Sequence, residues 1–243
     1  NLASRKISTD FPAFVMGIVN CTPDSFFSGS RGGAERAFEL IGEGADILDL
    51  GGESTRPGSD YVSAEEEIKR IVPVIEKIRR KSDIPISVDT RKKSVMQAAF
   101  NSGADILNDI SALEDEPELA FFAAEKKIPV ILMHKRGIPS TMQADTEYKN
   151  IFNEVSSYLE QRAEFAIKNG IEKEKIIVDP GFGFGKNLGI NNGIKRICTF
   201  SFRSSKNNKI VAPGISCKPE RLAVTANWLR LNINISGRNS VKN

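Results

Sequence analysis

The sequence predicts an α/β fold of the TIM (β/α)8 barrel type, and three features carry that expectation. Short runs that are apolar on nearly every residue alternate with helical stretches as far as Asp179. Continuous apolar runs suit a parallel sheet covered on both faces. Almost every run also ends on polar or flexible residues: Asn20, Gly51-Gly52-Glu53, Asp89, Asn108-Asp109, His134 and Asp179. A barrel assembles its site where many strands end together, whereas a doubly wound sheet concentrates its chemistry at one crevice. The spread of polar ends favours the barrel.

In chain order, strands are expected at 14–20, 47–51, 85–89, 105–108, 130–134 and 176–179. Between them, Ser63-Ala-Glu-Glu66 reads as a capping box, with the serine hydroxyl and the Glu66 carboxylate satisfying free amides at a helix start. Ile68, Ile71, Val72, Ile75 and Ile78 then recur at three- and four-residue spacing, so one face is buried and the Lys/Arg/Glu face is solvated. Ile151, Val155, Tyr158, Leu159 and Ala166 mark a second long helix that stops near Asn169-Gly170. The last two strand–helix units are doubtful, because one βαβ unit takes about 30 residues or more and little chain is left.

The 243 residues suffice for one barrel with a sizeable core. No run of 18 apolar residues predicts a membrane span, and no basic start followed by an apolar stretch predicts a signal peptide. The chain opens on Asn1 rather than Met, which reads as a fragment or a processed product. Three cysteines, Cys21, Cys198 and Cys217, with no C-x-x-C pair exclude a disulfide framework or a zinc site. The single histidine, His134, argues against a Ser-His-Asp centre and reads as a hydrogen-bonded wall residue. A reducing cytoplasm is the expected compartment.

The net charge of +3 conceals an asymmetry. Residues 1–186 carry 24 Lys+Arg against 30 Asp+Glu, whereas residues 187–243 carry ten Lys+Arg against Glu220 alone, along with ten Asn. A basic tail is one electrostatic footprint of nucleic-acid binding. The other reading is a segment that does not belong to the preceding fold.

Candidate chemistry lies in the loops. Asn20, Thr22, Asp24 and Ser25 place oxygen ligands within six residues around Pro23, which suits a hard cation such as Mg2+ as well as an Asx/Pro turn. In Gly51-Gly-Glu-Ser-Thr-Arg-Pro-Gly58, paired glycines permit close backbone approach, and Thr55 and Arg56 could hold an anion. Gly181-Phe-Gly-Phe-Gly-Lys-Asn187 looks like a phosphate loop, but only three residues precede Gly-Lys and no Ser or Thr follows, so the match fails. It reads as a flexible loop or a direct ligand contact. Asp89, Asn108 and Asp179 end separate apolar strands, where a carboxylate is costly without a partner. Helix capping is the bland role for Asp89 and Asp109. An amino-pyrimidinone edge, with adjacent N–H donors, would compensate all three strand ends at once.

The strings 16–26, 49–58, 87–90, 108–110, 132–134 and 179–186 together resemble dihydropteroate synthase, in that family's order and across residues 14–186. The resemblance implies a TIM barrel that joins 4-aminobenzoate to 6-hydroxymethyl-7,8-dihydropterin diphosphate in folate synthesis, releasing diphosphate, with Mg2+ and sensitivity to sulfonamides. By matching positions, Asp89, Asn108 and Asp179 would hold the pterin. Thr55 and Arg56 would contact the diphosphate and aminobenzoate side, Asn20 would serve the metal, and the 20–28 loop would close over the site. No catalytic side chain is assigned, because a good leaving group and a charge-delocalising pterin need no protein nucleophile. The partners implied are these small molecules, with neither nucleic acid nor membrane; a homodimer is compatible with the family.

The family's Ser-Arg-Lys-Ser-like and Arg-Val-His-like motifs do not appear after Lys186. The chain therefore divides into a pterin-binding barrel at 1–186, units one to six, and a divergent basic, Asn-rich tail at 187–243, read as a shifted frame or a truncated coding sequence. The alternatives are a pterin-dependent methyltransferase domain, with a similar barrel and similar Asp/Asn residues, and a catalytically defective pterin-binding relative.

Overall fold

The structure is a computed structural model, and it describes residues 13–22, 33–54, 61–137, 147–182, 184–186 and 221–225. Six β-strands alternate with five α-helices: β1 (Ala13–Asn20), α1 (Ala34–Gly42), β2 (Ile47–Gly51), α2 (Ala64–Arg79), β3 (Ile86–Asp89), α3 (Lys93–Asn101), β4 (Ile106–Asp109), α4 (Glu118–Lys126), β5 (Val130–Met133), α5 (Ile151–Lys168) and β6 (Ile176–Asp179). A further strand, β7 (Arg221–Thr225), comes late in the chain. The sheet order is β6-β5-β4-β3-β2-β1-β7, so β1 to β6 lie side by side in chain order and are parallel throughout. This is the curled, six-unit arc of a TIM-type α/β fold.

The expected strands are all present, with ends displaced by about one residue, as ladder edges commonly are. The fourth runs one residue later than expected and takes in Asp109, and the fifth stops at Met133, leaving His134 just beyond it. At the other edge the structure adds a feature the sequence reading lacked. β7 runs antiparallel to β1, pairing Ala13 with Thr225 and Gly17 with Arg221, where a closed eight-stranded barrel would place a parallel strand.

Side chains alternate along each strand, and the two faces bury different things. The outward residues Val19, Leu48, Leu50, Val88, Leu107, Leu132 and Val178 pack under the helices in one large core with Ile71, Ile75, Ile78, Val95, Met96 and Leu119. Truncating one of these, such as the fully buried Leu48, to alanine costs about 2–5 kcal/mol. The inward face begins with a small apolar layer of Met16, Ile47, Ile106 and Ile131, flanked by Phe14 and Ile177. Two residues further along the same face, the apolar layer gives way to Asp49, Asn108 and Asp179.

Helix α2 starts where Ser63 Oγ accepts the Glu66 amide at 3.3 Å. The reciprocal half of the expected capping box is replaced: the Glu66 carboxylate accepts from Arg70 Nε at 3.0 Å. Helix α5 begins with Asn150 Oδ1 accepting the Asn153 amide and ends at Asn169, followed by Gly170 at φ 93°. At the N-terminal end of the sheet, Arg79 gathers four acceptors: Gly103 O, Ser82 O, Ile84 O and Asp105 Oδ2, the last at 2.7 Å. Asp105 Oδ2 also accepts the Ile86 amide, and Asp46 Oδ2 accepts that of Val15. These pairs tie α2 and the starts of neighbouring strands together.

Candidate active site

The polar end of the arc is built by strand register. Asn20 pairs with Gly51, Gly51 with Asp89, and Asp89 with Asn108; on the far side Met133 pairs with Asp179. Paired residues of parallel strands point to the same face, so Asp89 stands between Gly51, which has no side chain, and the Asn108 amide. A Cβ built on Gly51 would lie 3.8 Å from the Asp89 Cβ. Asp89, Asn108 and Asp179 are thereby brought to one end of the inward face, as expected.

One member of this layer escaped the sequence reading. Asp49, in the middle of β2, accepts a hydrogen bond from Asn108 Nδ2 at 3.1 Å, while its other oxygen is buried with no hydrogen-bond partner among the described residues. The buried Ser87 hydroxyl stands level with Asp49 on the paired strand and favours its ionised form. An acid inside Ile47-Leu-Asp-Leu-Gly51 was visible in the sequence, but its polarity was submerged in an otherwise apolar run.

These carboxyls sit where charge is expensive. Burial raises the pKa of Asp49, opposed by the Ser87 and Asn108 side chains and reinforced by Asp179. Burial pushes Asp89 well above the usual carboxylate range, and the charges of Asp49, Glu67 and Asp109 add to the effect. Burial also raises Asp179, against the pull of the Gly181 amide and Lys186. Asp49 thus links Asp179 on β6 to Asp89 on β3 through repulsion between like charges.

The expected capping roles resolve differently. Asp109 points outward, where Oδ1 accepts from the amide and hydroxyl of Ser111 and Oδ2 from the Leu113 amide. It closes a turn rather than a helix. Asp89 caps nothing: the residue at the N-cap of α3 is Lys92, whose amide bonds Thr90 Oγ1.

The loop after β2 is clamped by ion pairs. Glu53 takes Arg91 at 2.7 Å through one oxygen and Lys92 through the other; Lys92 reaches on to buried Glu67 at 2.7 Å, and Arg91 to Asp115. Gly52 packs so closely that a Cβ there would come within 2.8 Å of Glu67 Cγ, and its carbonyl accepts from Arg70. Thr55 and Arg56, the expected anion contacts, lie outside the described residues. So do 23–28 of the first loop, including Asp24 and Ser25, as well as Gly183, Asn187 and the tail apart from β7.

The loop after β6 is tied to the end of β5 through Lys186. Lys186, 2% exposed, turns its ammonium onto the carbonyls of Gly181 and Phe184, both at 2.9 Å, and of His134 at 3.3 Å. Burial lowers its pKa to about 8, with Asp179 pulling the other way. Its donors face backbone oxygens, which agrees with the failed phosphate-loop spacing. Gly181, at φ 65°, passes so near the His134 carbonyl that a Cβ would lie 2.1 Å from that oxygen, so no other residue fits. His134 lines the wall without the expected hydrogen bond: Nδ1 is buried with no partner among the described residues, the ring packs edge-on to Tyr158 at 5.0 Å, and burial together with Lys186 lowers its pKa to about 4. The buried Cys21 thiol is pushed up to about 12 by burial, so it offers no nucleophile.

Among the described residues no group of three His, Cys, Asp or Glu stands together as a metal cage. Asn20 is exposed at the end of β1 beside Gly51 and offers one hard amide oxygen. Mg2+ takes few protein ligands and completes its shell with water and phosphate oxygens, so this donor fits as one ligand of a shared site.

Comparison with known proteins bears on this geometry. The family model described as "Pterin binding enzyme" matches residues 16–218. The dihydropteroate synthase of Escherichia coli K12 is 47% identical over 182 residues, covering 73% of this chain and 64% of that protein. The synthase of Synechocystis is 44% identical over 178 residues, covering 71% and 62%. The chain thus spans a little under two thirds of the length of these relatives. A crystal structure of the Yersinia pestis dihydropteroate synthase with a sulfonamide drug superposes with a TM-score of 0.76 at 36% identity, covering 84% of this chain and 75% of that one.

Proposed function

The chain belongs to the dihydropteroate synthase family of pterin binding enzymes, and on that premise we propose that it condenses 6-hydroxymethyl-7,8-dihydropterin diphosphate with 4-aminobenzoate to give 7,8-dihydropteroate and diphosphate, in folate biosynthesis. One observation supports the reading most strongly: half-buried Asp89, Asn108 and Asp179, from three strands, converge with buried Asp49 at one end of the inward face. Such a surface is rich in acceptors, and a pterin's pyrimidinone edge supplies adjacent N–H donors. Each bond made there relieves a carboxylate that burial has left costly.

In this reading Asp89, Asn108 and Asp179 accept from the pterin ring and fix its exocyclic methylene toward the open end. Thr55 and Arg56 hold the diphosphate and the aminobenzoate side. The arylamine nitrogen bonds to the methylene carbon as the carbon–oxygen bond to diphosphate breaks; diphosphate leaves with the electron pair and the nitrogen gives up a proton. Asn20 would hold Mg2+, which when bound supplies neutralising charge to the leaving diphosphate. The protein's part is positioning and electrostatics, consistent with an inert Cys21 and a neutral His134. Sulfonamide sensitivity, a cytoplasmic setting and a homodimer complete the reading.

The same reading treats 1–186 as the pterin-binding part and 187–243 as the product of a shifted frame, supported by the abrupt change in charge and Asn content after Lys186. A condensation assay on this chain and on a frame-restored version tests both proposals. Dihydropteroate formed by the restored protein, with much less from this chain, is the expected result. No product from either contradicts the synthase reading; equal product from both contradicts the reading of the tail.

A further inference from the structure

Asn108 is an amide among acids, and its amide has two faces: one end donates and the other accepts. Which end meets the ligand depends on what holds the other. The structure answers this through Asp49, two strands away, whose Oδ2 lies 3.1 Å from Asn108 Nδ2. An ionised carboxylate is acceptor-only, so it fixes the donor end of the amide on itself and leaves Asn108 Oδ1 as the acceptor on the inward face. The second Asp49 oxygen is buried and has no hydrogen-bond partner among the described residues. Asp49 is 8% exposed and lies one step deeper along the inward face than Asp89, between the apolar Ile47 layer and the open end.

We propose that Asp49 is a positioning residue that sets the polarity of the Asn108 amide, so that the layer formed with Asp89 and Asp179 presents acceptors alone and selects a heterocycle edge rich in N–H donors. The inference rests on the pterin reading and specifies how that site discriminates. With asparagine at position 49, two neutral amides face each other. Either Asn108 Oδ1 is consumed by the new amide, or a new N–H is left where an acceptor stood. Both arrangements spoil the acceptor-only surface without removing volume. Exchanging the two residues (Asp49→Asn with Asn108→Asp) restores it, because the new asparagine donates to the new aspartate and the oxygen on the inward face remains an acceptor.

The test is calorimetric titration of the full chain with 6-hydroxymethyl-7,8-dihydropterin diphosphate and with its 2-desamino analogue, alongside thermal melting of each variant. The unaltered chain should bind the pterin and reject the analogue. Asp49→Asn should bind the pterin about tenfold or more weakly and discriminate less, the cost of one misdirected buried hydrogen bond. It should still melt in one cooperative step, because losing the buried charge offsets part of the misdirected hydrogen bond. The exchanged pair should recover most of the affinity and the discrimination. Asp49→Asn binding and discriminating like the unaltered chain overturns the inference alone. So does an exchanged pair that melts normally but recovers nothing. A lower melting temperature with the discrimination ratio unchanged overturns it too, in favour of a purely structural Asp49. No pterin binding by the unaltered chain overturns the pterin reading and this inference with it.

Discussion

The two ends of the sheet use their aspartates in opposite ways. At the N-terminal end, Asp105 is 1% exposed and matched on all sides, with Arg79 at 2.7 Å and the Ile86 amide at 3.0 Å; Asp46 accepts the Val15 amide at 2.7 Å. At the C-terminal end, buried Asp49 is repelled by Asp179 and half-buried Asp89 by Asp49, and Lys186, the cation that draws on Asp179, turns its ammonium onto backbone carbonyls. The first arrangement holds strands together. The second leaves hydrogen-bonding capacity for something else, as expected where barrel chemistry resides at the C-terminal ends of strands.

The largest expected effect lies at the matched end. Asp105→Ala removes the carboxylate partner of half-buried Arg79 and the acceptor of the Ile86 amide, and should lower unfolding free energy by about 3 kcal/mol in urea titrations at pH 7, while leaving pterin binding by the folded fraction intact. A loss below about 1 kcal/mol would remove the distinction between the two ends.

Next comes pH. His134 is held near a pKa of about 4, below its unfolded value of 6.5, so its contribution is present above pH 6.5 and is lost as pH falls toward 4. The loss reaches up to about 3 kcal/mol, reduced by residual solvent screening. His134→Phe should flatten that part of the curve. The elevated carboxyls act the other way: their folded pKa values exceed the unfolded value of 3.8, so stability rises as pH falls through them. Asp89→Asn isolates this opposing effect. It should gain about 1–2 kcal/mol at pH 7 by removing a poorly compensated charge, lose the acid-side gain, and bind pterin more weakly. Stability that falls instead would mean Asp89 is a matched group like Asp105.

The smallest effect concerns local structure alone. Ser63→Ala removes one cap from α2 and should cost about 1 kcal/mol in thermal or urea unfolding, with no change in pH profile.

How much of this was legible depended on whether the signal was local. The six parallel strands were readable because each is a continuous apolar run closed by a polar residue, and α2 and α5 because Ser63 and Asn169-Gly170 mark their ends. Helices α1, α3 and α4 begin at Gly33, Lys92 and Pro117 with no side-chain cap, so only alternation pointed to them. Asp89, Asn108 and Asp179 announced themselves as polar strand ends. Asp49 did not, because register and a partner 59 residues away reveal its role. The clamp of Glu53, Arg91, Lys92 and Glu67 escaped for the same reason, its bonded partners being 25–39 residues apart. The antiparallel β7 carried no comparable local pattern.

Ligand-linked stability joins the two ends most directly. Urea unfolding of the unaltered chain and of Asp179→Asn should be followed with and without 6-hydroxymethyl-7,8-dihydropterin diphosphate. Without ligand, the variant should be the more stable of the two. Ligand at a hundred times its Kd should stabilise the unaltered chain by about 2.7 kcal/mol and the variant by far less. No ligand-dependent shift in the unaltered chain, or an equal shift in both proteins, would contradict a pterin site built from these carboxyls.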